Sequence, residues 1–463
     1  MSDRLDRRDF LRAATAAGVG LALGPTPADA SPLATAASPL PNDFGGLYAD
    51  APMDVVRIGF VGLGHQGSSH VENFTKIDGA KIVALCDLEA DRVAKMQDLV
   101  VKAGGAKPAG YSGGPNEFRK LVERNDVDLV YNVTPWEWHA PVMLAALRAG
   151  KHAVTEVPMA PTLEELWALV ETAEKTKRHC IMMENCTYDR TEMMILNMVR
   201  QGVFGELLHA ECGYLHDLRQ LKLTDYYHPR WRIEHSAKRN GDLYPTHGLG
   251  PVAQWMDINR GNQFDHLVSM ATKEAGLNLW AAEHIGPDSP EAKRAYKLGD
   301  VVNTLLRTKN GQTIRVTHST DSPRPYSRDI SLQGTKGIVH KYPLEQIYIE
   351  GRSKNDQWED LRGWREQFEH PIWKALEEKS RGAGHGGMDF IEDFRLVDCL
   401  RAGVPTDMDV YDGAAWSAVA PMSERSIAQR SRSVDFPDFT RGAWKTRRPL
   451  AVVGSGPAVQ DER

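Results

Sequence analysis

The chain is poor in cysteine, in basic excess and in long apolar runs. Its five cysteines (Cys86, Cys180, Cys186, Cys212 and Cys399) are odd in number and scattered over 463 residues. That excludes a disulfide framework and reads as reduced core thiols. Neither H-E-x-x-H nor C-x-x-C occurs, so no metal site is expected. Lys and Arg number 56 against 62 Asp and Glu, a formal charge of −6, which excludes a dedicated nucleic-acid binder. No apolar run reaches about 18 residues, so no stable membrane insertion is expected. There is no internal repeat. With 41% hydrophobic and 25% charged residues, the composition is that of a globular chain, and the length suits two or three domains.

The N-terminus reads as an address. Arg7-Arg8-Asp9-Phe10-Leu11 carries two adjacent arginines before apolar residues, and an uncharged Ala/Gly-rich stretch runs from Ala13 to Gly24. Ala28-Asp29-Ala30 is a small-x-small cleavage site. Residues 1–30 are therefore expected to be a twin-arginine signal peptide. It would be read by the twin-arginine machinery and send a folded protein to the periplasm or outside. The scarcity of cysteine agrees, because a chain folded in a reducing compartment needs no bridges. Residues 31–52 read as a Pro/Ala/Ser linker.

The next segment, 53–185, has the marks of a dinucleotide-binding domain. Val55–Val61 is a near-continuous apolar run, as in a buried parallel strand. It ends in Gly62-Leu63-Gly64-His65-Gln66-Gly67, a G-x-G-x-x-G, followed by a helical pattern, the strand Lys81–Cys86 and then Asp87, 20 residues after Gly67. Gly62 permits the tight turn, Gly64 lets backbone approach a pyrophosphate, and Gly67 lets the helix sit close to the strand. The helix N-terminus offers free N–H groups to the phosphates. Asp87 can accept ribose hydroxyls and would repel a 2′-phosphate, so NAD is expected rather than NADP. Further strands at Leu129–Asn132, His152–Glu156 and Cys180–Met183 alternate with helices, which predicts a doubly wound parallel sheet. Ligands bind at the carboxyl ends of such strands. There lie Thr134–His139, Glu156-Val157-Pro158 and Glu184-Asn185.

Past the helix Thr191–Gly202, strand signals dominate 186–430: Leu207–Tyr214, Leu267–Thr272, Val301–Thr308, Thr313–Ser319, Asp329–Gln333, Gly337–His340 and Gln346–Glu350. The helices expected beside them are Leu249–Asn259, Met388–Ala402 and Tyr411–Gln429. The predicted whole is an α/β Rossmann domain followed by an α+β domain with an open, mainly antiparallel sheet. A Pro/Arg-rich tail, 431–463, is expected to wrap the surface. Within the second domain, Cys212–Gly248 is dense in Tyr, Trp, His and Arg: Tyr214, His216, Tyr226, Tyr227, His228, Trp231, Arg232, His235, Tyr244 and His247. Flat faces with polar tips suit a sugar ring, and Arg232 can donate in a fork. His247, just before a helix, is a candidate acid or base. His385 stands among four glycines in Gly382–Gly387, where a mobile loop could carry it over a substrate as general acid.

Together these features resemble the Gfo/Idh/MocA oxidoreductase superfamily. The fingerprint, the Glu-x-Pro at 156–158 and the open sheet carry the likeness. Dehydrogenases of that group have Lys where this chain has Val157, and Asp where it has Leu243, four residues before His247. The ordinary alcohol-oxidising proton machinery is thus incomplete. One branch is similar at every point: Trp136-Glu137-Trp138-His139, Glu156-Val157-Pro158, Tyr244-Pro245-Thr246-His247-Gly248 and the Gly-flanked His385 resemble glycoside hydrolase family 109. That resemblance implies an α-N-acetylgalactosaminidase that keeps NAD bound and recycles it in each turnover. It implies NAD contacts from Leu63, Gly64, Asp87, Trp136, His139, Glu156, Val157 and Asn185. It implies substrate contacts from Tyr214, Arg232, Tyr244, His247 and Tyr326. The implied cycle oxidises sugar C3, removes the C2 proton, eliminates the leaving group, adds water and returns the hydride, an exception to two-carboxylate hydrolysis. Catalytic groups would be Glu156, Tyr214, Tyr244, His247 and His385. An exported NAD enzyme has no obvious cofactor pool to draw on, so a redox-neutral cycle fits. A periplasmic sugar oxidoreductase with internally recycled NAD(P) and a non-catalytic sugar-binding protein remain alternatives, and a homodimer is allowed.

Overall fold

The computed structural model describes residues 50–452. The twin-arginine signal, its cleavage site and most of the linker lie outside the described residues.

Six short apolar runs make the first sheet: β1 (Val56–Val61), β2 (Ala80–Cys86), β3 (Ala109–Tyr111), β4 (Leu129–Asn132), β5 (His152–Glu156) and β6 (Cys180–Met183). All pairs are parallel, in the order β3-β2-β1-β4-β5-β6. β4 and β6 are buried along their whole length, as expected for strands covered on both faces by helices. The strand order reverses between β1 and β4, and that crevice is where such folds bind ligands.

The second sheet has nine strands: β7 (Leu207–Leu215), β8 (Phe264–Ala271), β9 (Val302–Thr308), β10 (Thr313–Ser319), β11 (Ser331–Gly334), β12 (Gly337–His340), β13 (Gln346–Ile349), β14 (Glu359–Asp360) and β15 (Val434–Asp435). The order is β14-β13-β12-β11-β7-β10-β9-β8-β15. Only β7 and β10 run parallel. Burial alternates strictly along β9, so one face meets the core and the other meets solvent. The covered face carries the helices Thr246–Trp255, on β7, and Val410–Ala428, on β8.

The structure differs from the sequence reading in several places. β8 starts at Phe264 rather than Leu267, because a bulge between Phe264 and His266 breaks the alternation that marks a strand. The aromatic segment Cys212–Gly248, in which no helix was foreseen, contains the helices Arg219–Leu223 and Trp231–Lys238. Helices Gly276–His284 and Pro371–Ser380 add to those foreseen. Part of the tail is structural: Val434 and Asp435 pair with Leu267 and His266 and close the sheet edge. The helix Met388–Ala402 crosses back to pack on helix His65–Phe74 of the first domain, a long-range contact that periodicity does not reveal.

Candidate active site

The carboxyl ends of β1, β2, β4, β5 and β6 converge on one crevice. The turn after β1 has the shape that a dinucleotide needs. Gly62 has φ +91°, and a Cβ there would lie 2.5 Å from the Val133 carbonyl oxygen. A Cβ on Gly67 would lie 2.1 Å from the Gly62 oxygen, whereas among the described residues nothing stands within 4 Å of one on Gly64. The first and third glycines are thus closed in by backbone, and the second opens on free space for a phosphate. Asp87, at the end of β2, accepts from the Leu63 N–H (2.6 Å) and the Glu89 N–H (2.9 Å), which fixes its carboxylate at the lip of the turn. Gln66 and His65 open the following helix. These residues fit NAD.

The end of β6 anchors two histidines through consecutive residues. The Glu184 carboxylate is solvent-free and lies 2.7 Å from His247 Nδ1. It also accepts from the Cys186 N–H at 3.1 Å. Burial pushes Glu184 up, but His247, Thr246 and the Cys186 N–H together hold the group below the ordinary range. Next to it, the Asn185 amide donates to Asp389 Oδ1 (2.7 Å), and Asp389 Oδ2 lies 2.7 Å from His385 Nδ1. Gln66 Nε2 also reaches Asp389, at 3.2 Å. Burial opposes ionisation of Asp389, yet His385, His70 and Asn185 hold it down at about 2. The same hydrogen bond, donated by His385 to Asp389, raises His385 above its ordinary value. Each histidine therefore has one nitrogen fixed by a buried carboxylate and the other left for a ligand. His385 sits in a short helical turn, Gly384–Gly387, at φ 49°.

An aromatic wall joins these groups. The Tyr214 ring lies 4.6 Å from Tyr244, 5.5 Å from His247 and 6.2 Å from Tyr326. Tyr244 stacks on Trp136 at 5.6 Å. The Arg232 guanidinium is caged by Trp136, Tyr227, Trp231 and Tyr244, with ring centroids at 4.8–5.2 Å. Burial raises the Tyr214 and Tyr244 hydroxyls above their usual range, so both remain protonated donors at neutral pH. Gly248 makes the wall possible. A Cβ there would lie 2.4 Å from the Gly213 nitrogen, so only glycine lets the helix carrying His247 rest on β7, which ends in Tyr214 and Leu215.

Of the residues expected at the site, Tyr214, Arg232, Tyr244, His247, Trp136 and Tyr326 form one connected cluster. Asn185 and His385 join it through Asp389 and Glu184-Asn185. Two others lie deeper. His139 is buried, its ring nitrogens facing the carbonyls of Pro158 (2.6 Å) and Thr134 (2.8 Å). Val157 is buried among apolar neighbours. Sequence reasoning did not single out Asp389, nor the buried His70, Tyr131 and Asp393 behind Glu156. It noted Glu184 only as part of a strand end. Their one signal is a polar stripe: Gln66, His70 and Asn73 recur at helical spacing on a face that should be apolar. Glu184, Cys186 and His247 also place one ligand atom each within 4.8 Å of one another. Two of them already hydrogen-bond to each other, and Arg328 Nη1 lies 2.9 Å from the Cys186 sulfur, a cation that opposes a metal at this spot.

Fold and site together define a nicotinamide-dinucleotide-binding protein of the oxidoreductase type, with a carbohydrate-suited aromatic cleft in its second domain. Residues 56–184 match the oxidoreductase family's NAD-binding Rossmann fold, and residues 188–446 match the C-terminal domain of glycosyl hydrolase 109. A glycosyl hydrolase family 109 protein of Shewanella baltica strain OS155 is 46% identical over 97% of this chain and 99% of its own. One from Shewanella pealeana is 45% identical over 98% and 100%. The chain belongs to glycosyl hydrolase family 109. Among solved structures it is similar to levoglucosan dehydrogenase in complex with NADH and levoglucosan (18% identity, TM-score 0.62, covering 83% of this chain and 100% of that one). An inositol dehydrogenase homolog from Azotobacter vinelandii complexed with NAD+ is also similar (20% identity, TM-score 0.61, 84% and 99% covered). At this identity the likeness shows a shared fold.

Proposed function

We propose that the protein removes terminal α-linked N-acetylgalactosamine by a redox-neutral cycle on NAD that stays bound. The observation that carries this reading is the pair of histidine–carboxylate dyads, His247–Glu184 and His385–Asp389, anchored on adjacent residues. Oxidising one hydroxyl needs one proton handler. Expelling a leaving group and adding water needs a second. When bound, NAD+ supplies reversible hydride exchange at the sugar ring. His247, oriented by Glu184, takes and returns the C3 hydroxyl proton. Tyr214, Tyr244 and Glu156 line the wall where the C2 proton, acidified by a neighbouring ketone, is lost and regained. His385, raised by Asp389, protonates the departing oxygen. Arg232, caged by four rings, keeps its donors for a sugar hydroxyl or acetamido carbonyl. Val157 cannot carry a proton, so the lysine role of related dehydrogenases falls to these groups. The paired arginines at 7 and 8 support export in folded form with the cofactor enclosed.

The as-isolated protein should release aglycone from an aryl α-N-acetylgalactosaminide without added NAD, and turnover in D₂O should place deuterium at C2. No release from a panel of α- and β-aryl glycosides would sink the reading. Product formed only when a sugar donor and a sugar acceptor are both present would replace it with a two-substrate oxidoreductase.

A further inference from the structure

Behind the cleft, Glu156 is tied to a polar core that the cycle above does not use. Its Oε1 lies 2.8 Å from His70 Nε2. The opposite ring nitrogen, His70 Nδ1, lies 2.8 and 3.0 Å from the two oxygens of Asp393. Asp393 also accepts from Asn73 Nδ2 (3.0 Å) and from the Tyr131 hydroxyl (3.1 Å). The His70 and Asp393 side chains are solvent-free, and Glu156 alone of the three reaches the surface, 17% exposed. Three donors on one buried carboxyl make Asp393 an acceptor, which is the role of an ionised group. A histidine between two carboxyl groups can donate to both only as imidazolium.

We propose that Asp393 and His70 are positioning residues that hold Glu156 as an ionised, cleft-facing acceptor for a ligand hydroxyl. The hydroxyl belongs either to a ribose of the dinucleotide or to the sugar, two sources of one chemistry. Only the sugar source rests on the glycosidase reading.

Burial raises Asp393 itself, against the pull of His70 and Asn73, and the three donors on its oxygens favour the anion. Helix His65–Phe74 presents His70, with neutral Gln66 and Asn73. β4 presents Tyr131 and β5 presents Glu156. Helix Met388–Ala402 presents Asp389, Glu392 and Asp393, and the turn before it presents His385. Asp389 is satisfied by His385, Asn185 and Gln66. Glu392 is 1% exposed, and neither of its oxygens has a hydrogen-bond partner among the described residues. Burial, with Glu156 and Asp393 nearby, pushes it well above the carboxylate range, which favours its neutral form. One cation, His70, then serves two carboxylates, Asp393 and Glu156. Burial alone would drive the imidazole down. Asp393 and Glu156 outweigh it and raise His70 well above its ordinary value.

Asp393→Asn tests this by geometry and charge together. The amide oxygen still accepts from His70, but the imidazole loses the anion that keeps it charged. A neutral ring that donates from Nδ1 to that amide oxygen has only a lone pair at Nε2. Glu156 must then carry the proton and can no longer act as a free acceptor. NAD affinity, read by quenching of intrinsic tryptophan fluorescence on cofactor-stripped protein, and KM for the aryl glycoside are each measured across pH. The expected result is a rise of about one pH unit in the acid limb of one or both, worth roughly tenfold in affinity at the limb. Glu156→Gln, a mimic of the protonated acid, should reproduce the low-pH affinity of Asp393→Asn and show no limb of its own. A limb moved in the NAD arm assigns the ribose; one moved only in the KM arm assigns the sugar. Limbs unmoved in both arms overturn the proposal. Should the variant fail to fold, histidine-selective ¹⁵N NMR of the wild-type holoenzyme decides. One buried ring protonated on both nitrogens well above the ordinary imidazole range supports the proposal, and the absence of such a ring overturns it. If the wild type cleaves no glycoside, the function above fails while the NAD arm still reports on the relay.

Discussion

A histidine serves as a proton donor only when something fixes which nitrogen faces the reacting atom and sets how tightly it holds its proton. For His385 that is Asp389. The pair predicts a pH effect whose sign can be worked out. His385 is raised by Asp389, so its protonated form persists to higher pH and is lost as pH rises through that value. Asp389→Asn removes the anion and brings the imidazole back toward its ordinary range. The alkaline limb of kcat/KM should therefore move to lower pH, with roughly a tenfold loss on the alkaline side and little change below neutrality. A profile that drops evenly at all pH values would show Asp389 to be structural and His385 not to be the acid. His385 was legible in the sequence, because one histidine among four glycines has no packing reason. Asp393 was not, because its partner His70 lies 323 residues away, and Asp389 was not, because an acid four residues after His385 reads equally as a solvated helix residue. Nothing local tells a buried acid from an exposed one on a helix.

Elements place these residues by how closely they approach. The helix Thr246–Trp255 meets β7 at Gly248 and Gly213, and a Cβ at 248 would fall 2.4 Å from backbone nitrogen. Backbone on both sides leaves no flexible side chain to yield. Gly248→Ala should cost about 1–3 kcal/mol of stability, the usual effect of overpacking, read as a lower urea midpoint with unchanged slope. Activity should fall further than stability, because the shift separates His247 from Tyr214. Full activity with lowered stability would mean that the spacing does not matter to the chemistry. Strands and most helices were legible because period-two and period-3.6 patterns survive where one face is buried. The start of β8 was not, because its bulge shifts the alternation. The helix Trp231–Lys238 was not, because its inward face is built from the aromatic and cationic groups of the site instead of aliphatic ones. The close approach at Gly248 was hidden for another reason: a glycine near a helix start has many uses, and sequence does not name its neighbour.

Across the whole molecule, the two sheets are laced together rather than hinged. The helix Val410–Ala428 packs on β8 of the second sheet and on β6 and helix Leu163–Thr176 of the first, while Met388–Ala402 returns to the dinucleotide turn's own helix. Buried ion pairs hold the connection between these two helices: Arg395 with Asp398 and Asp407 (2.6 and 2.8 Å), and Arg260 with Asp412 (2.6 Å). Removing either partner of such a pair leaves an uncompensated buried charge, and the packing of both helices across the two domains leaves these little freedom to unfold separately. A ligand that binds the first domain should then stabilise both. At dinucleotide concentrations about a hundredfold above Kd, the native state gains roughly 2.7 kcal/mol. For a chain of this size that amounts to about 3 °C in Tm. Calorimetry of cofactor-stripped and NAD-loaded protein should show one transition in each, displaced upward by NAD. Two separate transitions, with only the first responding to NAD, would mean that the domains are coupled too weakly for the cofactor to hold the sugar cleft together. In that case the dyads on Glu184 and Asn185, which draw His247 and His385 from the second domain, would have to form without help from the dinucleotide.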